Sequence, residues 1–290
     1  MDTTLVSNIR TVLSGAKAPE DFGWGANDVA AWKELVRGDP VAFMTLGVWS
    51  RRVKEVDPET GEDRPAVHPL VPFIPWKAQA DMIYSMVAAV ESGQDICVAK
   101  SRETGVSVIS TAISVWGWLF KKWDVLLCSR TEALVDRSGD PDTLFAKVEH
   151  VLKYLPPQWL PCPLQDLQAG GKRRRHCILE HPDGNAITGE ATTSHIGRGA
   201  RKTVVVFDEA ASQDRFESGW RSAADTAASR WAVSTHLVGS YFTNTLWETA
   251  KSTESPVPIL LTYVDDPQKS AGGSWTCLLY TSPSPRDFEA

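Results

Sequence analysis

The sequence predicts an α/β fold in which a mainly parallel sheet is flanked by helices, with a small N-terminal helical lobe. Short apolar runs alternate along the chain with segments of helical length, a pattern typical of parallel sheets covered on both faces. One such run, 203–210, ends in two adjacent carboxylates. Another, 95–100, leads through a loop into an apolar segment of helical length. These two runs also contain the candidate functional residues.

The composition supplies ample material for a hydrophobic core, since 42% of the 290 residues are hydrophobic. This length allows one or two domains. The net charge of −6 does not exclude a nucleic-acid partner, because such binding depends on local basic patches. The run 172–175, Lys-Arg-Arg-Arg, is either such a patch or a solvated charged turn. We expect no signal peptide. We also expect no membrane contact, because the most apolar stretch, Val106 to Phe120, has about fifteen residues and a bilayer span needs roughly twenty.

The cysteines and histidines indicate no metal or disulfide framework. The five cysteines contain no C-x-x-C pair, so neither disulfides nor structural zinc are expected. Cys97 and Cys128 fall in predicted core strands, where a free thiol behaves as a small apolar group. The six histidines are not grouped at metal-ligand spacing, and we assign them no ligand role.

The predicted elements begin with an N-terminal lobe over residues 1–65, which has helical segments at 29–36 and 40–50 and a polar turn at 57–63. Apolar residues spaced three and four apart predict helices 79–92 and 142–155, and short apolar runs predict the strands. A Pro-Asp-Gly-Asn turn at 182–185 predicts a hairpin. In chain order we expect helix 79–92, strand 95–100, helix 106–120, strand 125–129, helix 142–155, hairpin strands 176–180 and 185–188, strand 204–207, helix 214–230 and strands 231–235 and 258–263.

The run 204–207, Val-Val-Val-Phe, has the character of a strand buried on both faces. Such strands present their chemistry at the carboxyl end, where Asp208 and Glu209 lie. Asp208 would hold Mg²⁺, and Glu209 would polarise a water for attack on a γ-phosphate. The alternative is a strand that ends in a solvated acidic turn.

The loop between strand 95–100 and helix 106–120 partly matches the phosphate-binding pattern G-x-x-x-x-G-K-[ST]. Gly105 and Ser107 match, whereas Val106 occupies the lysine position and Lys100 replaces the first glycine. The cation near the phosphates would then be Lys100 or Arg102. The alternative is an ordinary strand-to-helix turn with Gly105 as its bend.

Taken together, several motifs resemble the large terminase subunit of tailed bacteriophages, over roughly residues 35 to 268. Ser101 to Ser107 is similar to the phosphate loop of that family, and Phe73 to Gln79 is similar to its adenine-side motif. Segments 136–145, 187–190 and 197–199 look like further terminase segments. Ser234-Thr235 is similar to the coupling motif that senses hydrolysis.

The resemblance implies a P-loop NTPase domain over residues 66–268, with ATP and Mg²⁺ as its ligands and with Walker A and Walker B motifs. Glu209 would be the catalytic base, and Arg102 would act as a cis arginine finger. Ser107 and Asp208 would bind Mg²⁺, and Ser234 and Thr235 would couple hydrolysis to movement. The implied ATP-binding residues are Trp76, Gln79, Lys100, Ser101, Thr104, Gly105, Val106 and Ser107.

The resemblance also implies partners: double-stranded DNA, a portal protein, a small terminase subunit and further copies of this chain in a ring on the portal, all in the host cytoplasm during virus assembly. Residues 277–287 resemble translated sequencing-adapter DNA, so we expect a disordered, non-native tail over residues 269–290. We also expect no nuclease domain, because too few residues follow Asp265 and Asp266 to form one. A helicase-like nucleic-acid translocase and a non-catalytic nucleotide-binding scaffold are the alternative functions.

Overall fold

The computed structural model describes residues 26–51, 54–56, 63–65, 70–194, 196 and 200–267. Most of the polar turn at 57–63, the segment 197–199 and the tail at 269–290 lie outside the described residues, as does the start of the N-terminal lobe. The division between lobe and ATPase domain at residue 65 stays a prediction.

The secondary structure alternates between strands and helices. The strands are β1 Trp49–Arg51, β2 Lys54–Val56, β3 Asp63–Pro65, β4 Leu70–Pro72, β5 Ile96–Lys100, β6 Val125–Ser129, β7 Arg174–Arg175, β8 Ile178–Glu180, β9 Ala186–Ala191, β10 Lys202–Asp208, β11 Ala227–Ser234 and β12 Val257–Leu261. The α-helices are Ala26–Gly38, Pro40–Gly47, Lys77–Ser92, Val106–Phe120, Glu132–Val135, Leu144–Tyr154, Leu164–Leu167, Phe216–Ser222 and Trp247–Thr253, the last preceded by a π-helical turn at Phe242–Leu246.

The main sheet has the order β12-β5-β11-β10-β6-β9-β8-β7 in the described part of the chain. The strands from β12 to β9 are parallel to their neighbours, whereas β8 and β7 are antiparallel. This arrangement confirms the predicted mainly parallel α/β fold. It also confirms the predicted hairpin, in which Leu179 pairs with Ile187.

The core lies on both faces of this sheet, because successive side chains of a strand point to opposite sides. Along β5, Ile96 and Val98 pack on the face that carries helices 77–92, 106–120 and 144–154. Cys97 and Ala99 pack on the other face, against helices 216–222 and 247–253. Burial on both faces explains why the strand sequences read as continuous apolar runs. Among the described helices, none has the length and apolarity needed to cross a bilayer.

The N-terminal segment is attached to the first of these faces. All residues of helix 40–47 are buried. Asp39 caps this helix, since its Oδ1 accepts hydrogen bonds from the Val41 and Ala42 amides at 2.8 and 2.9 Å. The predicted helix 40–50 is too long, because the chain turns into β1 at Trp49 and pairs there with β4.

The predicted helix 214–230 is also wrong over its second half. The α-helix ends at Ser222, and β11 begins at Ala227, four residues before the predicted strand. Alanine is depleted in strands, but Ala227 and Ser229 pair with Lys202 and Val204 of β10. The Ser229 hydroxyl also donates to the Gln94 carbonyl at 2.6 Å, and Arg230 forms an ion pair with Asp95. Tertiary contacts therefore override local preference at this strand.

Candidate functional site

The candidate site lies where the carboxyl ends of three neighbouring strands meet. Strand β11 lies between β5 and β10, so Ser234 at its end stands between Lys100 and Asp208. In the ladder register Ser234 pairs with Ala99, and Asp208 pairs with Val233. The topology thus brings the predicted phosphate loop, carboxylates and coupling residue to one edge, the usual ligand position in open α/β sheets.

The loop from β5 to helix 106–120 is held in a defined shape by its own hydrogen bonds. The Ser101 amide donates to the Leu261 carbonyl at 2.8 Å, which ties the loop to β12. The Thr104 hydroxyl donates to the Ser101 carbonyl at 3.0 Å. Glu103 and Gly105 adopt left-handed backbone with φ values of 59° and 72°. Left-handed backbone at a residue other than glycine persists only where its surroundings enforce it.

Gln79 fixes the loop from the neighbouring helix. Its Nε2 donates to the Thr104 carbonyl at 2.9 Å, and its Oε1 accepts from the Trp76 amide at 3.2 Å. The side chain is buried, and Gln79 is only 1% exposed. These contacts give Gln79 a loop-positioning role in this structure, and its predicted recognition of adenine stays a prediction.

Gly105 leaves little room for a side chain in the loop. A Cβ atom at this residue would lie 3.3 Å from Phe73 Cε2 and 3.4 Å from Gln79 Nε2. Its left-handed φ also favours glycine. Phe73 therefore supports the loop. The sequence motif from Phe73 to Gln79 includes this residue, but no role was predicted for it.

Helix 106–120 starts directly after Gly105 and points its N-terminus toward the loop. The first amides of a helix have no intrahelical partner, and the helix dipole adds partial positive charge there, so this end suits a phosphate. Val106 can offer only its backbone amide to a ligand at this end of the helix, because its side chain is 1% exposed and packs in the core. The residue at the usual lysine position is therefore a core residue.

Ser107 and Asp208 are in direct contact across the site. The Ser107 hydroxyl donates to Asp208 Oδ1 at 2.8 Å, although the two residues are 101 positions apart in the chain. Asp208 is 6% exposed, and its own carbonyl accepts from Gln213 Nε2 at 2.7 Å. The hydrogen bond joins the first turn of helix 106–120 to the end of β10, the two places where the sequence predicts Mg²⁺ ligands. Gln213 carries no sequence signal for this supporting role.

Glu209 and Ser234 lie next to this pair. Glu209 is exposed and adopts a left-handed backbone with φ of 55°. Its carbonyl accepts from the Ser212 amide at 2.9 Å, which starts a 3₁₀ turn. Ser234 is 1% exposed, and its Oγ accepts from the Ala211 amide at 3.0 Å. The segment that carries Glu209 is therefore bonded to the end of β11, while Thr235 is half-buried beyond it.

The two cations proposed for the phosphates differ in position. Lys100 is half-buried at the end of β5, and no ion pair involves it in the part of the chain that the structure describes. Arg102 is exposed within the loop. Trp76 is half-buried against the core, and its indole Nε1 is buried with no hydrogen-bond partner among the described residues. The roles predicted for these three residues remain predictions.

The residues of the basic run at 172–175 differ in burial and in their partners. Arg174 is buried, with NH2 2.9 Å from Asp136 and Nε 2.8 Å from Glu149. Arg175 forms an ion pair with Glu180. The guanidinium of Arg174 therefore serves the fold, and the interpretation of the whole run as a nucleic-acid patch is wrong for that residue.

No protein-family model and no curated protein matches this sequence. Among solved structures, the chain is similar to the large terminase of a thermophilic bacteriophage. The complex of that terminase with ADP matches with 14% identity and a TM-score of 0.46, over 68% of this chain and 47% of that one. Two other structures of the same terminase match with 13% and 15% identity, TM-scores of 0.42 and 0.44, and coverage of 65% and 69% of this chain. The chain spans less than half the length of these terminases, at 45% to 47%. This likeness concerns fold alone.

Proposed function

We propose that this chain contains the ATP-hydrolysing motor domain of a viral DNA-packaging terminase large subunit, which couples ATP hydrolysis to DNA translocation into proheads. The observation that carries the proposal is the 2.8 Å contact between Ser107 of the loop and Asp208 of β10, beside Glu209. A hydroxyl and a carboxylate at this position form the expected pair of Mg²⁺ ligands in a phosphate-loop site.

The residues present fit an Mg²⁺–nucleotide complex. The contact of Ser107 with Asp208 brings two oxygen ligands together, and oxygen is the donor that Mg²⁺ prefers. When bound, the ion neutralises charge on the phosphates. The N-terminus of helix 106–120 and the Lys100 and Arg102 side chains supply the remaining positive charge. The triphosphate would thus lie along the loop held by Gln79.

Hydrolysis would depend on Glu209. Its exposed carboxylate accepts a proton from the attacking water as the bond between that water oxygen and the γ-phosphorus forms. The bond from the γ-phosphorus to the β,γ-bridging oxygen breaks, which yields ADP and inorganic phosphate. Arg102, as a cis arginine finger, would stabilise the transferring group.

Coupling would use the bond between Ser234 Oγ and the Ala211 amide. This hydrogen bond joins β11 to the turn after Glu209. A displacement of Glu209 on phosphate release would therefore also displace Ser234 and Thr235. Double-stranded DNA, the portal protein, the small terminase subunit and neighbouring copies in a ring are the proposed partners, and the host cytoplasm is the proposed location. These finer assignments depend on the motif resemblance.

Glu209→Gln tests the catalytic assignment. We expect ATP·Mg²⁺ binding to be unchanged, while DNA-stimulated phosphate release falls at least about 100-fold, because the amide keeps the shape of the carboxylate but cannot accept the proton. Binding is measured with a fluorescent nucleotide and turnover by phosphate release. Asp208→Ala should instead weaken Mg²⁺-dependent binding itself.

Glu217→Gln is the matched control, because Glu217 is exposed on helix 216–222 and pairs only with Arg221 at 2.7 Å among the described residues. It should bind and hydrolyse ATP like the wild type. Normal turnover in Glu209→Gln would refute Glu209 as the base. A wild-type chain that binds ATP but releases no phosphate, with or without DNA, would favour the non-catalytic scaffold.

A further inference from the structure

A group of metal-ligating side chains lies away from the nucleotide site, at the antiparallel end of the sheet. Glu132 starts the short helix 132–135 that follows β6, and His176 and Cys177 form the turn between β7 and β8. One ligand atom from each residue lies within 4.8 Å of the other two. We call these residues the Glu132–His176–Cys177 cluster. Sequence reasoning missed it because 44 positions separate Glu132 from His176.

We propose that the Glu132–His176–Cys177 cluster binds a divalent transition-metal ion, with Zn²⁺ as the best match to its ligands. A thiolate, an imidazole and a carboxylate form a mixed sulfur, nitrogen and oxygen set that suits Zn²⁺ rather than Mg²⁺ or Ca²⁺. The proposal is independent of ATP hydrolysis, since none of the three residues belongs to the phosphate site.

The distances support one shared ion. Cys177 Sγ lies 3.6 Å from His176 Nε2. A tetrahedral ion with standard Zn–S and Zn–N bonds places these atoms about 3.5 Å apart. Glu132 Oε1 lies 2.7 Å from the same nitrogen, and tetrahedral geometry requires about 3.3 Å. Glu132 has a side chain that is 65% exposed, so it is free to swing outward by that difference.

The other ring nitrogen of His176 faces a carboxylate, as is usual for a histidine that ligates a metal. His176 Nδ1 lies 3.4 Å from Asp136 Oδ2. Asp136 is itself fixed, since it accepts from the Cys177 amide at 2.6 Å and pairs with Arg174 at 2.9 Å. The Arg174 side chain is only 5% exposed. A buried arginine therefore anchors the carboxylate that orients His176.

The plain alternative is an exposed ion pair between His176 and Glu132. It accounts for the contact between His176 and Glu132, and it leaves Cys177 as a side chain packed at the edge of the core. A metal ion uses all three and leaves a fourth position for water. Glu132 follows β6 and Cys177 precedes β8, so the ion would link the antiparallel strands β7 and β8 to the end of the parallel strand β6.

The test is Co²⁺ and Zn²⁺ binding to the full chain. Co²⁺ replaces Zn²⁺ and gives a near-ultraviolet absorption band only when a thiolate is a ligand. We expect one equivalent of Co²⁺ to produce this band and Zn²⁺ to abolish it by competition. Cys177→Ser should remove the band, and Glu132→Gln should weaken Zn²⁺ binding at least about 10-fold in competition with a chromophoric chelator.

Cys162→Ser is the matched control, because it removes a thiol outside the cluster. This variant should keep the band, and Zn²⁺ should raise its melting temperature but not that of Cys177→Ser. The proposal is overturned if wild-type protein binds no stoichiometric Zn²⁺, or if the band survives in Cys177→Ser. If Cys177→Ser does not fold, Glu132→Gln decides, because the Glu132 side chain is exposed and its replacement carries little risk to folding. Unchanged Zn²⁺ affinity in Glu132→Gln would also overturn the proposal.

Discussion

Gln79→Met tests whether the shape of the loop between β5 and helix 106–120 depends on a buried side-chain amide. Methionine keeps nearly the same length and volume, so the space beside Gly105 stays filled while both hydrogen bonds are lost. The Thr104 carbonyl loses its 2.9 Å donor, and the Trp76 amide loses its 3.2 Å acceptor. The variant therefore isolates the polar contribution of one side chain.

The expected magnitude follows from these two bonds. An unpaired carbonyl in a buried environment costs about 1 to 3 kcal/mol, and the part-buried amide adds about 1 kcal/mol. The sum is about 2 to 4 kcal/mol, which at about 2 to 4 °C per kcal/mol lowers the melting temperature by about 4 to 16 °C for a domain of this size. Gln165→Met is the control, because Gln165 is exposed, and it should melt like the wild type.

The assay combines thermal unfolding with titration of ATP and GTP. Because the lost bond holds the loop and not a base, the affinities for ATP and GTP should fall by the same factor. A change in the ratio of the two affinities would assign Gln79 to adenine recognition as well. A melting temperature equal to that of the wild type would refute the positioning role.

Three further predictions concern charge, packing and pH. Lys100→Ala should weaken ATP binding more than ADP binding, as measured by titration. Val106→Ala should instead lower the melting temperature, because the Val106 side chain is in the core. If the two variants lower ATP affinity equally, the role of Lys100 is refuted. Gly117→Ala should destabilise the protein by about 1 to 3 kcal/mol or more in chemical denaturation, since a Cβ would lie 1.9 Å from Trp123 Cε3, whereas Gly38→Ala, with nothing within 4 Å, is the control and should not. Burial lowers the pKa of His150, the Trp49 carbonyl opposes this, and Arg51 and Lys153 lower the pKa further. The unfolded state then binds the proton more readily, so stability falls as pH drops below about 6.5, and His150→Gln should flatten that slope by up to about 1.4 kcal/mol per pH unit; an unchanged slope would contradict this.

The sequence predicted those parts of the site that depend on strand direction. Asp208 ends an apolar run that reads as a buried strand, and Ser107 lies at the start of the helix that follows strand 95–100. Parallel strands align their carboxyl ends, which places the two residues at one edge of the sheet. Their contact at 2.8 Å was therefore foreseeable as proximity, although the distance was not. The order of β5, β11 and β10 was not contained in any local pattern.

The sequence failed where a long-range contact decides the structure. Gln79 reaches Thr104 over 25 positions, and no local signal indicates this partner. Strand β11 starts at Ala227 because of pairing with β10, against the preferences of its own residues. Arg174 appeared to be a surface charge, yet Asp136 and Glu149 are brought to it by separate segments.

The position of β11 between β5 and β10 has a mechanical consequence. The two strands that carry the loop and the carboxylates share no hydrogen bond with each other. Adjacent strands lie about 4.8 Å apart, so the width of one intervening strand sets a gap of about 10 Å between them. Strand β11 thus separates β5 from β10. Any shift in its register would change the distance between the Ser107 hydroxyl and the Asp208 carboxylate.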